Sequence, residues 1–359
     1  MPENKTKMAG IFQAFKDRGG HWVFSSMLFS KLMNFILSIL IVRFLAEAVY
    51  GNISYAFSII QIILPLAGLG LHHSLLRFGS VRREKEAKNA LFIRFLINGT
   101  LYSVILMILL IAAAPLLTRR LPDSGPYLRL FSLLLLTFFL SELLLSYFRI
   151  QKNNRLYSTG LGIKSVFMLL VCSLAAFFCH GKGYVWSYTL VPLLLFIVLM
   201  PLAVKKYDLR FTQRPREKLT PFLKYGLWAG LGSIASQLVI LVDTIMVANI
   251  IADSVQVAVY KVATIIPLNL LFLPMVLLKT DYVYIAENYR SGKFIKSYYK
   301  KYLAVFLAVL AMILAVWFLF SDMIMRIFGS EYAASGPIVN ILMLMLAGAF
   351  LSGFLSEIS

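Results

Sequence analysis

The sequence predicts an all-α, polytopic membrane protein of about ten transmembrane helices in two lobes, six helices plus an incomplete second lobe, around a central cavity. Three observations predict it. Long apolar runs recur along all 359 residues. Each approaches the ~20 residues that a helix rising ~1.5 Å per residue needs to cross ~30 Å of hydrocarbon. Apolar residues make up 60% of the chain and charged ones only 14%, against about 25% charged in soluble domains. Lys and Arg also gather in every second connection between the runs.

The runs lie near 22–45, 53–76, 90–117, 127–149, 157–179, 184–204, 222–250, 256–278, 302–320 and 337–357. The first is too long for a signal-peptide core and no small-residue cleavage site follows it, so it stays in the membrane. Lys5, Lys7, Lys16 and Arg18 precede it. The second ends in the basic stretch Arg77 to Arg94, the fourth in Arg149 to Lys164, the sixth in Lys205 to Lys224, and the eighth in Lys279 to Lys301. The intervening connections are short and hold few cations, among them Arg43, Arg119, Arg120 and Lys182. By the positive-inside rule the N-terminus is cytoplasmic, and the chain is a multi-pass protein of the inner (plasma) membrane. The net charge of +19 forms no continuous patch, so a nucleic-acid partner is excluded.

The break KKYDLRFTQRPREKLTP is the longest basic, proline-containing one. It divides the chain into an N-terminal lobe (1–204), a cytoplasmic linker (205–221) and a C-terminal lobe of about four helices (222–359). Both halves show a long helix, a short outer turn and a re-entering helix, with Ala56 aligned on Ala263 and Ile59 on Ile266. Repeated halves are a common transporter plan with the substrate site at their interface. Six is even, so these repeats would be parallel. The aromatic and basic segment from Lys279 to Lys301 reads as a headgroup-level anchor that touches membrane lipid. The chain ends at Ser359 without a polar tail, as a truncated product would.

Ionisable residues inside spans are costly and therefore candidates for function. Lys31 lies about nine residues, or ~14 Å, into span one. Asn34 and Ser38 follow at i+3 and i+7, forming one polar stripe that lines a wet cavity or packs on other helices. Glu142 lies deep in span four, with Ser146 and Arg149 below it. It forms a structural ion pair or serves in ion coupling; the sequence leaves both roles open. Asp243 in span seven and Lys261 in span eight pair across the outer turn or touch substrate. Arg77, Arg94 and Lys164 near the cytoplasmic surface read most simply as snorkelling anchors, with collective attraction of an anionic headgroup as the alternative. Pro65, Pro192, Pro267 and Pro274 are expected to kink or loosen their spans.

Cys172 and Cys179 sit seven residues apart on one predicted helix, ~10 Å along its axis, which is beyond disulfide reach. Both read as packing residues, and the adjacent His72 and His73 as interfacial polar ones. Two Cys and four His offer no metal-ligand spacing. There is no GxxxxGK[ST] loop, no HExxH and no nucleophile with its base. No catalytic residue, metal or cofactor is expected, and the chain does not read as an enzyme.

At the first hairpin, RFLAEAVYGNISYAFSII followed by GLGLHHSLLRF resembles the opening of bacterial polysaccharide and O-antigen flippases. These belong to the multidrug/oligosaccharidyl-lipid/polysaccharide exporter superfamily. Arg43, Leu45, Tyr50, Gly51, Gly70, Arg77 and Phe78 fall on that pattern, with Ala46 where Gly is usual. Asp243 matches the family's Asp late in helix seven. VAVYKVA at 257–263 is similar to the next family segment, with Ala258 in place of Gly, and RIFGSEYAASGPIVNIL at 326–342 to the segment between helices nine and ten.

The resemblance implies a flippase that moves a polyprenyl-pyrophosphate-linked oligosaccharide from the cytoplasmic to the outer leaflet for surface polysaccharide such as lipopolysaccharide or capsule. It implies twelve or fourteen spans in full-length relatives, so two or four would be missing here. It implies that cationic cavity residues engage the pyrophosphate and glycan, which Lys31, Asn34, Arg77 and Lys261 are placed to do. Proton or sodium movement through Glu142 or Asp243 would drive the step. The alternatives are a drug/cation antiporter of the same superfamily, a membrane polysaccharide polymerase or ligase, and an inactive fragment. The first would favour acidic cavity residues, and the second a large periplasmic loop.

Overall fold

The computed structural model describes residues 20–209, 217–270 and 292–346, and every regular element among them is helical. Helix α1 is Gly20–Phe44, α2 Glu47–Ile63, α3 Leu71–Ser80, α4 Lys85–Leu117, α5 Gly125–Ser132, α6 Leu134–Ile150, α7 Asn154–Tyr207, α8 Thr220–Ile251, α9 Ser254–Leu270 and α10 Gly292–Arg326. A last described helix, α11, covers 336–346. Seven segments among the described residues are long and apolar enough to cross a membrane, with α2–α3 and α5–α6 each forming one of them. The protein is an all-α polytopic membrane protein. On α4, Ile97, Leu101, Ile105 and Ile108 are all exposed; recurring every three to four residues, they make the helix face that meets lipid. The expected ends of spans eight and ten, with Pro274 and most of the Lys279–Lys301 segment, lie outside the described residues.

Two spans differ in shape from simple hydropathy runs. Helix α7 contains 54 residues, which as one straight rod would reach ~80 Å, far beyond any bilayer. His180, at φ 52° and ψ −145°, breaks it, so the runs at 157–179 and 184–204 are two crossings joined by a tight turn. Gly181 follows because a Cβ there would meet Val49 at 2.5 Å and Ile53 at 3.0 Å. The bend expected at Pro192 does not interrupt the helix, nor does Pro201: no non-helical residue lies near either. Beside Pro192, the Thr137 hydroxyl donates to the Thr189 carbonyl at 2.8 Å, the kind of neighbouring donor that lets proline sit inside a span. The second run also begins earlier than its hydropathy suggests. Extended Ala46 is followed directly by helix from Glu47, whose carboxylate suits a helix N-terminus.

Two compact units divide between Val257 and Ala258. In the first, α1 packs on α7, α6 on α7, and both α4 and α6 on the second span. Helix α8 also packs here, along the whole second span. Glycines make that seam. A Cβ on Gly226 would stand 2.6 Å from the Leu69 carbonyl oxygen, and one on Gly230 would stand 3.1 Å from that of Pro65. This small-xxx-small pair lets two backbones touch where side chains would hold them apart. Ser74 donates to the Phe222 carbonyl at 2.6 Å, and Asn249 donates to the Tyr55 hydroxyl at 3.2 Å. Arg82 pairs with Glu217 at 2.5 Å, and Arg94 donates to the Glu217 carbonyl.

The basic ends of α4, α6 and α7 are tied by a polar network. Lys88 donates to the Ile150 carbonyl at 2.8 Å, occupying an orphan acceptor at the C-terminus of α6. Asn89 donates to the Tyr207 carbonyl at 2.8 Å and accepts from the Tyr147 hydroxyl at 2.6 Å. Each missing partner would leave a buried polar group unsatisfied, at about 1–3 kcal/mol. In the second unit Trp317, 1% exposed, donates to Asn340 at 2.7 Å. Ser335 reaches the Val259 carbonyl at 2.8 Å, so the 326–342 segment closes onto α9.

Candidate functional site

The second span is interrupted at its middle by the turn Leu64–Gly70. Pro65 starts the turn, and Gly68, Leu69 and Gly70 then adopt φ of 61°, 50° and 71°. Three consecutive left-handed residues end any α-helix, and only the two glycines do so without strain. The sequence expected a kink from Pro65; the glycines enlarge it to a full break. The ring of Phe139 fills the space left by Gly68 and Gly99, so a side chain at either glycine would collide with it. Helix α3 restarts with Leu71, and this rotation sends His72 inward.

His72 is 7% exposed. Its ring lies 4.0 Å from that of His73, 6.1 Å from Phe138 and 6.5 Å from Phe139. Both imidazoles lie in the electrostatic field of Glu142. The expectation that the histidines are interfacial fails for His72, because the break turns it into the helix bundle. Glu142 itself is joined to Lys164 by an ion pair of 2.9 Å. The Lys164 ammonium also lies 5.4 Å from the centre of the Phe138 ring, a cation–π distance. Lys164 therefore turns inward to a carboxylate rather than out to the headgroups. Nearby, Arg149 sits over the Tyr157 ring at 5.3 Å.

This cluster combines one anion, one cation and two imidazoles at span depth. Its side chains stay part-accessible, 18% for Lys164 and 27% for Glu142. Ionisable groups inside membrane spans almost always pair with one another and face the bundle interior or a water-filled cavity, and these two are paired and part-accessible. It can hold a polar headgroup, and it can exchange a proton.

Helix α1 meets this level. Ser30 and Ser165 hydroxyls are 2.5 Å apart, placing Lys31 and Lys164, each one residue away, at similar depth on neighbouring helices. Lys31 and Asn34 lie on the exposed side of α1. Ser38, the third member of the stripe, donates to its own helix at Phe35. Arg77 is exposed in the last turn of α3. Asp243 is exposed on α8 in the first unit, and Lys261 is half-buried on α9 in the second. Of the two cysteines, Cys172 is buried as expected while Cys179 is exposed, since it stands at the His180 turn. Among the described residues no His, Cys, Asp and Glu cluster fits a metal.

The residues that composition and spacing underrate are His72, His73 and Lys164. Their signal is present in the run LAGLGLHH, where two glycines just before a polar pair mark a break that redirects it.

Solved structures share the fold. An inward-facing conformation of a multidrug resistance MATE family transporter of the MOP superfamily aligns over 92% of this chain and 81% of that one, at 18% identity and a TM-score of 0.70. The MATE multidrug transporter DinF-BH aligns over 91% and 77%, at 18% identity and 0.61. An outward-facing MATE conformation aligns over 93% and 79%, at 19% identity and 0.60. No curated protein sequence matches significantly. The sequence profile described as "Polysaccharide biosynthesis protein" matches residues 18–277, and with most of its length inside that match the chain belongs to the polysaccharide biosynthesis protein family.

Proposed function

We propose that this protein is a flippase for a polyprenyl-pyrophosphate-linked oligosaccharide, carrying the headgroup from the cytoplasmic to the outer leaflet of the inner membrane. The observation that carries the reading is the part-accessible Glu142–Lys164 pair at span depth, in a chain of the polysaccharide biosynthesis family. In this reading the basic ends of the spans face the cytoplasm, and the N-terminus lies on that side.

The mechanism follows from cost. Each sugar hydroxyl and phosphate oxygen that leaves water needs a replacement hydrogen bond. A hydrated, cationic path supplies them while the polyprenyl tail stays in the bilayer. Lys31, Asn34 and Arg77 are the groups on the first unit assigned to the pyrophosphate and its first sugar, and Lys261 is a separate candidate for substrate contact on α9. Glu142, beside Lys164, His72 and His73, is the group assigned to ion coupling. Gaining a proton on Glu142 would release Lys164 for a phosphate, and losing it would restore the pair. A drug antiporter has no comparable support here, because the cluster is as cationic as it is anionic.

Complementation of a flippase-null strain tests the reading, with surface polysaccharide as the readout. The parent chain restores export. Lys31→Ala abolishes it while the protein remains monodisperse in detergent, because Lys31 stands on the exposed side of α1 and outside the packed core. Normal surface polysaccharide in that variant removes Lys31 from the path, and no rescue by the parent removes the flippase reading.

A further inference from the structure

Two buried ring nitrogens near the Glu142–Lys164 pair have no hydrogen-bond partner among the described residues: Nδ1 of His72 and Nε2 of His73. A neutral imidazole carries one donor and one acceptor nitrogen, and leaving either unpaired inside a membrane span is costly. Adjacent residues on a helix do not face each other, yet these two rings meet at 4.0 Å and 40°. The Phe138 and Phe139 rings flank His72 on its other sides. A leucine pair would fill this volume without stranding a nitrogen, so the polarity asks for a ligand.

The surroundings say which one. Helices α4, α6 and α8 and the Leu64–Gly70 turn pack on α3. Among the described residues, the charged group acting on both rings is Glu142 of α6, and the Ala67 carbonyl of the turn acts on His72. Lys164 of α7 holds Glu142, and Tyr157, with Arg149 over its ring, is the further titratable group acting on that carboxylate. The groups that reach the imidazoles from other elements are thus an anion and an acceptor. Imidazole nitrogens beside them suit a proton better than a hard metal cation, which takes oxygen ligands.

Charge sets the stoichiometry. While Lys164 balances Glu142, a further positive charge at the rings has no counter-ion, so both are neutral. Two imidazolium rings at 4.0 Å would repel, so the pair takes up one proton and not two.

We propose that His72 and His73 form a single-proton site that alternates with Lys164 as the counter-charge of Glu142. When the ammonium leaves for a phosphate oxygen, one proton passes from hydronium to a free imidazole nitrogen. An O–H bond breaks, an N–H bond forms and water is left. The imidazolium then balances the carboxylate, and return of the ammonium expels the proton to water. Glu142 is never stranded. This rests on the coupling role given to Glu142 and refines it: the coupled proton is held by the ring nitrogens beside the carboxylate.

Histidine-selective 15N NMR tests it on the full chain in nanodiscs at neutral pH, with no substrate needed. His72→Gln and His73→Gln identify the signals of the pair among those of four histidines. In the parent, each ring of the pair shows one protonated and one bare nitrogen. In Lys164→Gln and Lys164→Met, one ring is expected to show two protonated nitrogens. Adding Glu142→Gln to either restores the parent pattern. Neutral rings in the Lys164 variants, an imidazolium already present in the parent, or one that outlasts Glu142 overturns the site. Independently of those variants, His72→Gln/His73→Gln is expected to stay monodisperse in detergent and to lose export in the complementation assay. Export at the parent level in that variant overturns the site as well. A parent that fails to export, while its Lys164 variants gain the imidazolium, loses the flippase reading and keeps the site. An exporting parent whose Lys164 variants keep neutral rings does the reverse.

Discussion

Lys164→Met strands the Glu142 carboxylate inside the first unit, and the variant is expected to lose both stability and export. Removing one partner of a buried ion pair costs ~3–5 kcal/mol. Here the partners keep 18% and 27% exposure, so water compensates in part and the loss falls toward the lower end of that range. Thermal unfolding in detergent measures it. Lys164→Met combined with Glu142→Gln removes both charges and recovers most of the lost stability. Export is not recovered, because a neutral pair can neither release a cation nor exchange a proton. A double variant that unfolds like the parent and also exports like it would confine Glu142 and Lys164 to scaffolding.

The second large effect is expected at the glycine seam. Gly226→Val places a branched side chain against the Leu69 and Gly70 backbone. Backbone cannot rotate away as a flexible side chain can. Overpacking of this kind costs ~1–3 kcal/mol when neighbours yield, and more where they do not. Helix α8 should separate from the second span, seen as loss of the monodisperse peak in fluorescence-detected size exclusion. Gly232→Ala is the internal control, since a Cβ there meets nothing within 4 Å. Equal behaviour of the two variants would show that the seam carries no weight.

The sequence reads best where one helix's own composition decides the outcome. Hydropathy locates α1, α4 and α8 because lipid-facing helices must be apolar over bilayer length. It also separates 157–179 from 184–204, although the helix bridging them is interrupted only at His180. What it cannot supply is rotation and register between helices. Glu142 is recognisable as a buried charge, but its partner depends on how α7 turns against α6, which no spacing within either helix encodes. The inward His72 depends on the backbone signs of Gly68 to Gly70. Proline is an unreliable guide: Pro65 opens a real break, while Pro192 is accommodated by a hydroxyl from another span.

The fastening of α8 to the second span has a practical sequel. It is bonded near one end through Ser74 and Phe222, and near the other through Tyr55 and Asn249. Val81, just after α3, and Val239, midway along α8, are 75% and 78% exposed and open to labelling. Spin labels at those two positions form a yardstick of constant length, against which any shifting distance elsewhere in the working protein is calibrated.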